Sequence, residues 1–332
     1  MEEQPKKWRW GKFRWILLAV IIIQIFVSRW VPPMMPHIQV APEVVTTWNG
    51  FGITNTLIAT IIADIVVLLI AVAVYRKAKS GDLVPRGITG VVEGIIEMIY
   101  NQTEQTAGKW AKLIFPWFAT ITLLVLVANW MELLPGVDSF GVFNKEHLVH
   151  SLEVKGIHNP EEAIAQKCQF NEIYHGVISV TGAKECAKTI VPFVRVASTD
   201  LNFTAALALI SVFMTQVIGV KAQGIKYFTK YFNTSTLWTK PAFGTIDFLV
   251  GILEIISEFS KILSFSFRLF GNIFAGSVLL FVIGALVPVF IQSGMLVFEF
   301  AIGMIQAIVF GMLTMVFMTM ATQGHGSEEH HS

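Results

Sequence analysis

Charged residues are scarce in this sequence, and their scarcity excludes an ordinary soluble domain. They make up 14% of the 332 residues, whereas hydrophobic residues make up 54% and the mean hydropathy is +0.63. Soluble domains carry about 25% charged residues. The apolar residues also form runs long enough to cross a bilayer, where helices satisfy their own backbone hydrogen bonds. The sequence therefore predicts an all-α membrane protein with several spans.

Motifs for soluble cofactors are missing as well. The sequence has no glycine-rich nucleotide-binding loop and no zinc-type spacing of cysteine and histidine. We therefore expect no cofactor, no metal and no catalytic site of its own in this chain. The formal net charge of +1 is uninformative about partners, and we expect no nucleic acid among them.

Six apolar segments follow one another along the chain. They cover residues 16–27, 56–75, 113–134, 203–220, 245–286 and 294–320. Lysine and arginine are concentrated in the head of the chain, after the second segment, before the third and after the fourth. Because basic residues stay in the cytoplasm, this pattern predicts a multi-pass protein with both termini cytoplasmic. The first segment is interpreted as an uncleaved signal anchor, since a small-residue cleavage site is missing, and a cleaved signal peptide is the alternative.

These segments divide the chain into five predicted regions. A basic signal-anchor segment occupies 1–32, and membrane helices two and three occupy 33–136. An extracytoplasmic loop follows over 137–195, then an ion-translocating core of helices four to six over 196–323 and a polar tail over 324–332. Residues 85–105 carry isoleucine and valine at helical spacing with Glu93, Glu97 and Asn101 on the opposite face. This helix is too short and polar to span, so we expect it to lie in the membrane interface.

Both cysteines of the chain, Cys168 and Cys186, lie in the predicted outer loop. A disulfide is possible there, because oxidising compartments permit it, and in the entropic model it would stabilise the fold by about 3 kcal/mol. Two unpaired cysteines are the alternative.

The fifth apolar segment contains a permanently charged side chain, Arg268. A lipid-facing arginine at the bilayer centre costs from about 3 to about 10 kcal/mol, so Arg268 must face protein or water. The segment covers about 42 residues, or about 63 Å of helix. That is twice the hydrocarbon thickness, so the helix either breaks or tilts steeply. One face of it carries a polar stripe at intervals of three and four, made of Glu254, Glu258, Lys261, Phe265, Arg268, Asn272 and Ala275.

The sixth segment repeats this pattern more sparsely, with Glu299, Gly303, Gln306 and Phe310 along one face. A carboxylate and an amide in an apolar helix need a partner or water, and Arg268 and Asn272 are the candidate partners. The alternative for Glu299 and Gln306 is a structural hydrogen bond between helices, worth about 1 kcal/mol.

Three further acidic or polar positions have two interpretations each. Asp64, in the second segment, is either a proton-accessible carboxylate or a hydrogen-bonded packing residue. Asp200 and Asn202 precede the fourth segment and either cap its first turn or line a water path. Glu258 and Lys261 are one turn apart and are suited to pair as structure alone.

The run SKILSFSFRLFGNIFAG resembles the signature of subunit a of F-type ATP synthases. NWMELLPG and STDLN are similar to two further motifs of that family, in the expected order, and the resemblance extends from about Val45 to the C-terminus. The outer loop is expanded. Many members have an acidic residue where Ser277 stands and a histidine where Glu299 stands. If the two helices pack, this exchange keeps one carboxylate in the same cavity, and which side chain relays the proton stays open.

The resemblance implies a stator subunit in a bacterial plasma membrane. Its partners would be membrane lipid, the c-ring, the b-subunit stalk and the rest of the F-type ATP synthase. Arg268 would face the ring carboxylates and keep two offset proton half-channels apart. Glu299, Gln306 and Asn272 would shape one half-channel near it. Weaker candidates for the proton path are Asp64, Asp200, Asn202 and Glu254.

Two other classes of function compete with this one. An autonomous secondary transporter or channel would hold the ion site and the gate in one chain, but the sequence shows no internal repeat of the kind such proteins often have. A membrane scaffold without an ion path is the other class, for which Arg268 would be dispensable to transport.

Overall fold

The computed structural model describes most of the membrane-spanning part of the chain. The described residues are 40–80, 88–134, 137, 141–143, 190–231, 241–286 and 290–323, together with Trp15, Ala19 and Ile22. The predicted first segment, apart from Ala19 and Ile22, lies outside the described residues, as do the two cysteines, Cys168 and Cys186, and the polar tail. The chain divides into two compact units. The first comprises Met1–Gln39, Gly141–Val191 and Ala275–Phe300, and the second comprises Val40–Phe140, Pro192–Phe274 and Ala301–Ser332.

Six helices make up most of the described structure. They are α1 Asn55–Ser80, α2 Ile88–Ala107, α3 Ala111–Trp130, α4 Leu201–Gln223, α5 Pro241–Leu286 and α6 Phe290–Thr322. Together with the 3-10 turns that adjoin them, they form five stretches long and apolar enough to cross a membrane: Asn55–Arg76, Glu93–Leu133, Leu201–Lys230, Phe248–Gly284 and Ile291–Thr322. The predicted fold class, an all-α multi-pass membrane protein, is confirmed.

Helix α5 is unbroken over 46 residues. At 1.5 Å per residue it is about 69 Å long, more than twice the hydrocarbon thickness of a bilayer. Of the two alternatives that its length left open, a break in the helix is therefore excluded. A steep tilt in the membrane stays as the prediction.

The core of the second unit lies along one side of α5. Phe265, Leu269 and Ile273 are at most 3% exposed and belong to a buried apolar cluster. Val125 of α3 and Phe310 of α6 are members of the same cluster, and the Phe265 and Phe310 ring centroids are 5.2 Å apart. These contacts fix the rotation of α5 about its axis, because residues three and four apart share a face.

The amphipathic helix predicted over residues 85–105 is present as α2. Its apolar face packs on protein: Ile99 is 5% exposed and shares a buried cluster with Ile114 and Phe118 of α3. The polar side chains of Glu93 and Glu97 are exposed, as expected from their spacing. Part of the face expected to rest on the membrane interface is thus covered by α3, since only a short 3-10 turn separates the two helices. The interfacial location of α2 stays a prediction.

A β-hairpin precedes α1 and was not predicted. Strand β1, Val44–Trp48, pairs antiparallel with β2, Phe51–Thr54. The two-residue turn between them is Asn49-Gly50, with φ of 51° and 83°. Positive φ at both positions is the requirement of the tight hairpin turn that Asn-Gly favours. A second small pair joins β3, Gly141–Phe143, and β4, Ile190–Pro192, which lie in the loop predicted to be extracytoplasmic.

Asp200 caps the first turn of α4, which confirms the first of its two interpretations. One carboxylate oxygen accepts from the backbone N–H of Asn202 at 2.8 Å, and the other accepts from the Thr56 hydroxyl at 2.8 Å. Asp200 is 6% exposed and Thr56 is 2% exposed. The cap therefore also ties the start of α4 to the start of α1. Asn202 itself is exposed.

We predict that Asp200→Ala lowers the free energy of unfolding by about 1–3 kcal/mol, because it removes an N-cap and a buried hydrogen bond. Asp200→Asn keeps a capping oxygen and should cost less than half as much. Thermal unfolding of the detergent-solubilised complex measures both changes. Thr56→Val is the control that keeps the cap but removes the bond between Asp200 and α1, along with the Thr56 hydroxyl contact with Thr54. Normal stability of Asp200→Ala, or slow proton transport in a fully stable Asp200→Asn, would contradict a purely structural role.

Candidate functional site

Arg268 lies on α5 at the border between the buried side of the helix and an exposed side. Its neighbour Leu269 is 1% exposed, whereas the Arg268 and Asn272 side chains are exposed. The guanidinium Nη2 donates to the Ser264 hydroxyl at 3.2 Å, one turn back on the same helix. No ion pair of Arg268 occurs among the described residues. The predicted polar stripe thus runs along the border, with Phe265 turned into the core.

The exposed side of α5 beside Arg268 is apolar. Its large side chains include, at 40% to 62% exposed, Leu249, Ile252, Ile256, Phe259, Leu263 and Phe267. They recur at intervals of three and four, so they form one continuous helix face. We call these six residues the apolar face of α5. In a membrane such a face meets lipid or another apolar helix.

Four charged side chains form a cluster about two turns nearer the start of α5. Lys230 Nζ lies 3.4 Å from Glu254 Oε1 and 3.4 Å from Glu258 Oε1. Lys261 Nζ lies 3.0 Å from Glu258 Oε1, which confirms the predicted pairing of Glu258 with Lys261. The Lys261 ammonium also lies 4.8 Å from the centre of the Phe317 ring of α6. We call these four residues the charge cluster.

Lys230 is held between two tyrosine rings. Its ammonium lies 4.3 Å from the ring centre of Tyr227 and 4.5 Å from that of Tyr231. Both phenol groups donate to Gln216 Oε1 of α4, at 2.7 Å and 2.8 Å. Burial raises the pKa of the Tyr231 phenol, although the nearby Lys230 acts in the opposite direction. The phenol is therefore protonated at neutral pH and remains a donor.

The charge cluster lines a cavity of about 420 Å³ in the second unit. The cavity lies between the end of α4, the 3-10 segment Gly224–Lys230, α5 and the end of α6. Along α5 it extends from Glu254 to Lys261, which is seven residues, or about 10 Å, from Arg268. Polar lining of this kind is suited to water.

Glu299 lies in the first unit, on α6. It is 3% exposed, and neither carboxylate oxygen has a hydrogen-bond partner among the described residues. Its carboxyl group packs directly on the backbone of Gly276 of α5, where a Cβ would overlap both oxygens. Ser277, the next residue, is 7% exposed. A buried carboxyl group without a partner requires a proton, water or another subunit to satisfy it.

The remaining predicted residues are dispersed. Glu254 is in the charge cluster. Asp64 is exposed on α1, among exposed isoleucine and leucine side chains, so it is not a buried packing residue. Gln306, on α6 in the second unit, is half-buried. For Asp64, Asn272 and Gln306, the described part of the chain offers no hydrogen-bond partner.

Sequence reasoning missed Lys230, its two tyrosines and Gln216. Lys230 was interpreted only as one of the basic residues that mark a cytoplasmic loop. The spacing Tyr227-x-x-Lys230-Tyr231 places two aromatic rings beside the lysine in one helical turn, and this pattern is a usable signal for a cation held on aromatic rings. Its partners on α4 and α5 are more than ten residues away along the chain, so the sequence gives no direct signal for them.

Comparison with known proteins agrees with this architecture. The family described as ATP synthase A chain matches residues 56–319. ATP synthase subunit a of Mycobacterium bovis and that of Mycobacterium tuberculosis are each 27% identical over 302 residues, covering 89% of this chain and 97% of the relative. The subunit a of Geobacter sulfurreducens is 29% identical over 266 residues, covering 80% of this chain and 85% of the relative. The chain therefore belongs to the ATP synthase A chain family, the membrane-embedded a subunits of F-type ATP synthases.

Proposed function

We propose that this chain passes protons to and from the carboxylates of a c-ring through two offset half-channels, with Arg268 keeping the half-channels apart. The observation that carries the proposal is the exposed Arg268 guanidinium, which has no carboxylate partner among the described residues and borders the apolar face of α5. Such a charge is tolerated within a bilayer only if water or an anionic group of a neighbouring protein satisfies it.

A ring of helical hairpins, each with one carboxylate, would provide that group. At a separation of about 4 Å and an effective dielectric constant near 20, an arginine and a carboxylate attract by about 4 kcal/mol. This attraction favours the ionised carboxylate, so a protonated ring subunit would release its proton as it reaches Arg268. The positive guanidinium would also repel a free proton, and protons would then cross only on the ring.

The two half-channels would open to opposite sides of the membrane. Glu299 is the candidate proton-binding group of the outer one, because its buried carboxyl group has unpaired oxygens, and Gln306 and Asn272 are candidates beside it. The inner half-channel would use the cavity at the charge cluster, with Glu254 in its wall. Residues 196–323 would form the ion-translocating core.

The wider assignment follows the same reasoning. The proposed setting is a bacterial plasma membrane, with both termini in the cytoplasm and subunit b among the partners. Asp64, exposed in an apolar surface of α1, would meet a neighbouring subunit or water there. Asp200 would act through its cap rather than as a proton carrier, since both of its oxygens are already bonded.

We expect Arg268→Ala to abolish ATP-driven proton pumping in membrane vesicles and to add a passive proton leak, because the barrier between the half-channels is lost. Arg268→Lys keeps the charge without the planar guanidinium and should retain only a small part of the pumping. Ser264→Ala is the matched control, because it removes only the hydroxyl group that Arg268 contacts. Immunodetection of the other subunits in the same vesicles reports assembly.

Normal pumping by an assembled Arg268→Ala complex would contradict the proposal. It would leave a scaffold role for the chain. An autonomous transporter predicts instead that transport persists in vesicles that contain this chain but no c-ring.

We predict that Gly276→Ala slows pumping about tenfold, because the new methyl group displaces the Glu299 carboxyl group. A tenfold change corresponds to an increase of about 1.4 kcal/mol in the activation free energy. Gly294→Ala is the matched control in the same unit, since a Cβ at that position meets no atom within 4 Å. Pumping rates of the two variants at equal assembly provide the comparison. Equal pumping rates of the two variants would contradict the assignment of Glu299 to the outer half-channel.

A further inference from the structure

Lys230 has two carboxylate neighbours and two aromatic rings around its ammonium group. Two contacts with glycine hold the segment that carries it. A Cβ at Gly219 of α4 would overlap the Tyr227 ring, and a Cβ at Gly251 of α5 would overlap the carbonyl oxygen of Tyr231. The segment is therefore packed against α4 on one side and α5 on the other. Together with the two hydrogen bonds to Gln216, these contacts fix the two rings on which the ammonium lies.

The two carboxylates of the charge cluster depend on Lys230 to different degrees. Within the described ranges, Lys230 is the ion-pair partner of Glu254, whereas Glu258 has both Lys230 and Lys261. The side chain of Glu254 is 33% exposed and that of Glu258 is 13% exposed. The four charges of the cluster sum to zero, so removal of Lys230 would leave an excess charge of −1 and Glu254 without a partner.

We propose that Lys230 is a positioning residue of the inner half-channel: it holds Glu254 and Glu258 on one wall of the cavity and balances their charge. This inference rests on the proposed function. With Lys230 in place, both carboxylates are paired within a cluster of zero net charge, so a proton passes without being retained. Without it, the unbalanced carboxylate retains a proton or another cation at the cavity and slows exchange with the cytoplasm.

The charged and titratable groups around Glu254 come from two elements. The segment after α4 contributes Lys226 and Lys230, with Tyr227, and Tyr231 follows it; α5 contributes Glu258 and Lys261. Helix α6 and the residue that follows it contribute only Phe317, Met320, Ala321 and Gln323 to the described lining of the cavity, and none of them titrates. Lys230 is thus the group whose removal changes the surroundings of Glu254 most.

The test uses ATP-driven pumping in vesicles with the assembled complex. Lys230→Met should slow pumping about fivefold while assembly is unchanged. This factor corresponds to the upper end of the range of contributions measured for exposed ion pairs. Lys230→Arg, which keeps the charge and also stacks on aromatic rings, should remain within about twofold of the parent chain. Lys221→Met, on the exposed surface of α4 outside the cavity, is the control for loss of one positive charge.

A double variant separates positioning from simple packing. Because Lys230 is proposed to act through Glu254, Lys230→Met combined with Glu254→Gln should pump no more slowly than Glu254→Gln alone. The inference would be overturned if the double variant pumped more slowly than Glu254→Gln, by the factor that Lys230→Met shows alone. It would also be overturned if Lys230→Met pumped normally, or if Lys230→Arg pumped as slowly as Lys230→Met. Arg268→Ala is measured in parallel. If it pumps normally, the proposed function fails, and if it alone is defective, only the inference about Lys230 fails.

Discussion

The guanidinium of Arg268 in an apolar helix surface is the constraint on which the rest of the structure depends. A permanent charge at that position needs a partner, and the described residues offer only the Ser264 hydroxyl. The packing of α5 leaves the charge available: Phe265, Leu269 and Ile273 bury one side of the helix, and Arg268 lies exposed at the border of that side, next to the apolar face. An exposed charge of this kind is consistent with a subunit of a larger complex, which is what the family comprises.

The charge cluster and Arg268 are opposite solutions to the problem of charge in an apolar helix. Glu254 and Glu258 are neutralised within the chain by Lys230 and Lys261, so that part of α5 is electrostatically complete. Paired charges of this kind mainly fix geometry, since their attraction is offset by desolvation. Arg268, about 10 Å further along, is not neutralised in this way. Within one helix, the charges of the cluster are paired and the charge of Arg268 is not, and this difference favours a functional role for Arg268.

The apolar runs were enough to predict the helices, because hydropathy and the helical spacing of apolar residues are properties of neighbouring residues in the sequence. The predicted limits of the last four segments lie within a few residues of the observed helices, and Asp200 followed by Asn202 was recognisable as a cap. The hairpin before α1 was missed although Asn49-Gly50 is a strong turn signal. Two contacts depend on packing between segments that are distant in the sequence, so no local pattern predicts them. They are the ion pair of Lys230 with Glu254 and the contact of the Glu299 carboxyl group with the Gly276 backbone.

The central claim is that the apolar face of α5 beside Arg268 meets a carboxylate-bearing ring. The most direct measurement places a photoreactive phenylalanine analogue at Phe267 and identifies the crosslinked partner by mass spectrometry. The same analogue at Phe213, an exposed position on α4, serves as the control. The account predicts that position 267 crosslinks to a small two-helix subunit, within a few residues of its membrane-embedded carboxylate, and that position 213 does not. Crosslinking of position 267 only to lipid, or to a subunit without such a carboxylate, would contradict it.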